Sequence, residues 1–197
     1  TLEGVYNIAG TCTPMGGGGG GPCATEGLSN AFENGKSFTM NLGRIVAHDV
    51  EVAADEDFVL EMINLNAFIG ATGSGVNAAA VDIYVYADAA GAPGALITSE
   101  LGLVPTAQTV VGANFGFDNW DVELDITDVV MPGQAGVPTR YWIGASLEPT
   151  DGSNTFWENS TAGLVGLGEA YDDALGGGFV IDPTLEGVYV FAGTCTP

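Results

Sequence analysis

Positive charge is almost missing from this chain. Its 197 residues include only three Lys and Arg, at Lys36, Arg44 and Arg140, and one histidine, His48. Asp and Glu number 25, so the formal net charge is −22. Nucleic acid is excluded as a partner, because almost nothing here neutralises phosphate. Anionic membrane surfaces are excluded on the same ground. Long apolar runs are missing too. None reaches the roughly eighteen residues of a spanning helix, so no membrane insertion is expected. No basic stretch leads into an apolar one as a signal peptide does. No segment carries a helical period.

Catalytic signatures are equally scarce. His48 lies in an apolar strand pattern and reads as a structural histidine. No G-x-S-x-G elbow occurs. The glycine run at 16–21 lacks the Lys-Ser/Thr and the helix that phosphate cradling needs. The expectation is that the chain is not an enzyme and has no certain cofactor.

Apolar residues are plentiful, at 46% of the chain, and there are 31 glycines. That composition builds a core, and the length suffices for one domain. Strand patterns appear at 44–52, 57–64, 80–88, 119–126, 139–147, 154–159, 178–182 and 186–192. In the fourth, Trp120, Val122, Leu124 and Ile126 share one face; Asp121, Glu123 and Asp125 share the wet one. Gly- and Pro-bearing turns at 90–95, 131–136 and 149–154 separate them. The expected fold is all-β, a jelly-roll-like β-sandwich.

The two ends of the sequence echo each other. Residues 1–14 read TLEGVYNIAGTCTP and residues 184–197 read TLEGVYVFAGTCTP. Only Asn7/Val190 and Ile8/Phe191 differ, at a constant offset of 183 (184 minus 1). A fixed period marks repeat architecture. This predicts one unit of a tandem array. Residues 1–29 form a junction strand and Gly-rich disulfide loop, 30–183 the sandwich, and 184–197 the start of the next repeat. Three cysteines then make sense. Cys12 pairs with Cys23 across the glycine run, and Cys195 pairs within the next repeat. A disulfide implies an oxidising compartment.

An excess of carboxylates with so few basic partners also points to divalent cations. Asp55 and Asp57 in one acidic turn, and Asp172 and Asp173 in a Gly-rich loop, are candidate calcium ligands, with a solvated turn as the alternative. Trp142 and Trp157 are candidate sugar-stacking residues, with core packing as the alternative. Trp120, opposite the acids, reads as core.

The chain between Phe32 and Ile181 resembles β-sandwich domains of giant secreted surface proteins of Bacteroidetes. The residues that carry the resemblance are NAFENG at 30–35, AADEDFV at 53–59, IYVYADAAGAPGALI at 83–97, RYWIGAS at 140–146 and NTFWENS at 154–160. The chain departs from the pattern at 60–68, where LEMINLNAF runs on without a Gly or Pro turn. The resemblance implies tandem arrays at the cell surface, often exported by the type IX system, in adhesion or gliding. The expected function is a structural repeat of an extracellular filament or adhesin stalk, giving length and stiffness. Its expected partners are neighbouring repeats of the same chain, with surface polysaccharide or other filaments beyond them. Two other readings stand beside it: a carbohydrate-binding module, and a non-covalent filament subunit that polymerises through the repeated motif.

Overall fold

The computed structural model describes residues 21–197 except Gly163 and Leu175. The strands, in chain order, are β1 (Gly21–Gly27), β2 (Asn34–Ser37), β3 (Ile45–Val52), β4 (Asp57–Ala71), β5 (Ala78–Asp88), β6 (Pro93–Leu103), β7 (Ala107–Asn114), β8 (Phe117–Pro132), β9 (Thr139–Pro149), β10 (Thr155–Ser160), β11 (Glu169–Asp172), β12 (Val180–Asp182), β13 (Glu186–Gly187) and β14 (Tyr189–Thr196). Every strand pair is antiparallel.

The framework is two four-stranded layers, β2-β10-β4-β8 and β3-β9-β5-β6. The chain crosses between them in jelly-roll order, so the expected sandwich is what forms. Period-two alternation explains why. In β5, Val81, Ile83 and Val85 are buried between the layers; in β8, Val122 and Leu124 face them. Phe58, Leu60, Ile63 and Leu65 of β4 complete the same core. The run at 60–68 without a turn is now explained: it is the middle of one 15-residue strand.

The outer face of the β3-β9-β5-β6 layer is covered as well. Trp142, Tyr86, Ala47 and Ala170 form a second cluster under Leu167, Phe179 and Ile181. Strand alternation puts Tyr84 and Tyr86 on the face away from Val81, Ile83 and Val85. They do lie there, but under a roof supplied by residues far along the chain.

The second copy of the repeated motif lies inside this sandwich. β4 has fifteen residues and β10 only six, so β10 covers β4 only at Ala67–Ile69. β14 lies along Asp57–Leu65 and covers the remaining edge. β1 then pairs with the other edge of β14. Residues 186–196 therefore close this unit and belong to its core, where the sequence had placed the start of the next one. Tyr189 and Phe191 are part of the inter-sheet core.

Candidate functional site

The closing strand is where chemistry and architecture meet. Cys23 and Cys195 form a disulfide with a Cα–Cα separation of 5.8 Å. This corrects the expected Cys12–Cys23 pair. The reason is register: β1 runs antiparallel to β14, with Cys23 facing Gly193 and Gly21 facing Cys195, which brings the two thiols to one end of the pair. Cys12 lies outside the described residues.

Ahead of β14, the short β13 delivers Glu186 into the interior. Its carboxylate is buried. One oxygen accepts the Tyr189 hydroxyl at 3.1 Å and the other the Val165 amide at 3.1 Å. The ring of His48 stacks on Tyr189, at 5.1 Å between centroids, and meets Trp157 edge-on at 4.9 Å. Nδ1 of His48 is 3.1 Å from Glu186 and also 3.2 Å from the Gly187 amide nitrogen. That nitrogen serves one at a time: protonated, it donates to the carboxylate; unprotonated, it accepts from the amide. Trp157 donates its indole N–H to the Val188 carbonyl at 3.0 Å. Further along, Thr194 donates to Glu61 at 2.9 Å. His48 is thus structural, and it interlocks with the motif.

Other buried acids surround this knot. Glu158 accepts from Asn119 at 2.6 Å and Ser29 at 2.5 Å. Glu169 accepts from Asn159 at 2.9 Å. Asp49 accepts the Leu167 amide at 2.8 Å and contacts Arg140 at 3.0 Å. Burial pushes the carboxyls of Asp49 and Glu169 above the usual range. Glu33, Asp151 and Asp182 are solvated, and hydrogen bonds from Asn30, Ser153 and Thr184 hold them below it.

The direction of pH dependence follows. A raised folded-state value means that the native chain holds protons the unfolded chain has released, so stability is lost as pH rises through that value. Acidification from neutral pH towards the ordinary carboxylate range is expected to raise the melting temperature through Asp49 and Glu169, and to relieve the repulsion of a −22 chain as well. The contributions of Glu33, Asp151 and Asp182 fade only below about pH 4. A melting temperature that falls steadily from pH 7 to pH 5 in thermal scans would refute this reading.

The calcium candidates are not brought together. Asp172 pairs with Ile45 at the start of β3, whereas Asp55 and Asp57 lie beyond its far end at Val52. A strand of that length sets the two pairs roughly 25 Å apart. Asp172 is buried and accepts the Ala174 and Gly176 amides at 3.0 Å; Asp173 lies 4.0 Å from Arg44; Asp55 accepts the Gly136 amide at 3.1 Å. Among the described residues no group of three or more His, Cys, Asp or Glu side chains is arranged to hold a metal ion.

The sugar-stacking candidates are also relocated. Trp142 and Trp157 are both 0% exposed, so neither offers a ring face to a ligand. Trp142 donates instead to Asp88 at 2.9 Å. Among the described residues the exposed aromatic is Phe115, 60% accessible, which the sequence did not single out. It borders a recess of about 190 Å³ with Phe68, Phe117 and Phe156. A larger cleft of about 430 Å³ opens between Ile97 on β6 and Val129–Val130 on β8.

The buried acids were missed because an Asp or Glu within a strand reads as its solvent-facing side. One signal was available. Glu3 and Glu186 are the same position in both copies of the motif, ahead of an apolar stretch. Comparisons with protein-family models, with curated proteins and with solved structures find no match to this chain.

Proposed function

We propose that this sandwich is a structural repeat of an extracellular filament or adhesin stalk. One observation carries the reading. The motif that returns at 1–14 is, at 184–197, the disulfide-anchored strand that closes a complete sandwich. A motif with that job appears once per sandwich, so two copies at a fixed offset belong to two sandwiches. The disulfide fits an oxidising, extracellular setting. The three cations are all occupied by structural contacts: Lys36 over the Tyr171 ring, Arg44 with Ser37, and Arg140 with Asp49 and Glu51. What is left is a strongly acidic surface, suited to keeping neighbouring filaments apart.

Gly21 and Cys195 are opposite each other, so the chain enters and leaves at one pole. The sandwich hangs beside the line of force, and the disulfide carries it.

The test uses an antibody raised against the folded sandwich. It is expected to label intact cells and to detect a reduced, denatured chain many times longer than 197 residues. Label confined to permeabilised cells, or a band at the mass of one such chain, would refute the proposal.

A further inference from the structure

The slot beside β10 and between β1 and β4 makes specific demands on the segment that fills it. Position 186 must be an acid that reaches Tyr189 and Val165. Position 187 has no room for a side chain, because a Cβ there would lie 2.2 Å from Nε2 of His48. Position 189 must be an aromatic that stacks on His48. Position 193 also excludes a side chain, since a Cβ would lie 1.8 Å from the Val59 carbonyl oxygen. Position 194 must reach Glu61, and position 195 must be cysteine.

Residues 1–14 meet every one of these demands. They carry Glu3, Gly4, Tyr6, Gly10, Thr11 and Cys12 at the corresponding places. The two differences respect the alternation. Asn7 stands for half-buried Val190, and Ile8 stands for buried Phe191, an apolar residue for an apolar one. Yet the slot on this sandwich is already filled by residues 184–197.

We infer that residues 1–14 are the closing strand of a second sandwich of the same kind. In that sandwich Cys12 is disulfide-bonded to the counterpart of Cys23. Forming the bond removes two protons and two electrons from two thiols, and an external disulfide oxidant accepts them. Ten residues, 13–22 (TPMGGGGGGP), then separate two consecutive disulfides, and the last two of them, Gly21 and Pro22, already pair within β1. The glycine run is the connector between units, not a loop clamped within one. The inference rests on the repeat reading above and names its junction.

A chain with residues 15–183 placed directly ahead of residue 1 tests it, because the first sandwich then has residues 1–14 as its only closing strand. A Thr25→Ser change in the first copy gives its cysteine peptide a distinct mass. After oxidation with glutathione disulfide, the expected result is Cys12 linked to the first copy's Cys23, no free thiol, and about twice the unfolding enthalpy of the 197-residue chain. Cys12 alkylated without reductant, or the enthalpy of a single sandwich, overturns the inference. A second variant guards against misfolding of the longer chain. Val190→Asn with Phe191→Ile converts the C-terminal copy into the sequence of 1–14. It is expected to melt cooperatively, about 5–10 °C lower, with Cys195 still protected from alkylation. Loss of a cooperative transition overturns the inference. Neither result depends on where the protein resides, so cell-surface labelling can fail while this inference stands, and the reverse.

Discussion

A single tethered chain pulled at residues 21 and 197 is expected to show no unfolding step while the Cys23–Cys195 disulfide is intact. After reduction, one step of about 60 nm should appear. The sequence separation between the cysteines is 172 residues. Each residue of extended chain spans about 3.6 Å, which gives that length. In the oxidised chain the tension path enters at β1, crosses the disulfide and leaves at the end of β14. The sandwich between is never loaded. Equilibrium stability should change as strongly. Closing a loop of this size is worth about 5 kcal/mol in the chain-entropy model. Cys23→Ser is therefore expected to lower the melting temperature by roughly 10–20 °C. Optical-tweezer steps of about 60 nm in the oxidised chain would show that force does load the fold, and the bypass would be wrong. For an array, tension would run along a series of disulfides and short connectors. Sandwiches spaced along that line would act as bulky acidic side groups, and their cores would stay folded under load.

Gly187→Ala is expected to be among the most damaging single substitutions in the chain. A Cβ at that position would lie 2.2 Å from Nε2 and 2.7 Å from two ring carbons of His48. The ring has nowhere to go. It is 0% exposed, stacked on Tyr189 and edge-on to Trp157. Moving the backbone instead would pull the Gly187 amide from His48 and the carboxylate of Glu186 from Tyr189. Overpacking of this kind costs about 3 kcal/mol or more. The clash has one partner, so a double-mutant cycle isolates it. His48→Ala alone should also destabilise, through the cavity left by the ring. The double variant should be more stable than the sum of the two losses predicts, by about 1–3 kcal/mol. Strict additivity in urea melts would mean that the ring and the glycine do not oppose each other.

Much of the fold was legible from residue alternation. Val81, Ile83 and Val85 face the core because strand side chains alternate, and Val122 and Leu124 do the same from the opposite layer. Other elements were harder to see. β6 and β7 expose Leu96, Ile97, Leu101, Val110 and Val111, so no wet and dry faces mark them out. β1 hides in a Gly-Pro-Cys stretch with little strand propensity, and only its pairing with β14 makes it a strand. The candidate site divides in the same way. The importance of Cys23, Cys195 and the repeated motif could be read directly. Their pairing could not, because it depends on which strands become neighbours. The same holds for Trp142 and Trp157. An aromatic on a strand reads alike whether its other side meets solvent or a distant loop; here Phe179 and Ile181 cover one, and Phe38, His48 and Tyr189 pack around the other.

Local information settled the all-β class, the acidic charge and the recurrence of one 14-residue motif at both ends, since alternation, charge and self-similarity are properties of the chain itself. Tertiary structure decided which strands complete the sandwich. Strand pairing is non-local: the long edge of β4, left open by the short β10, takes residues 189–196, β10 itself takes Glu186 and Gly187, and together they bring Cys195 to Cys23.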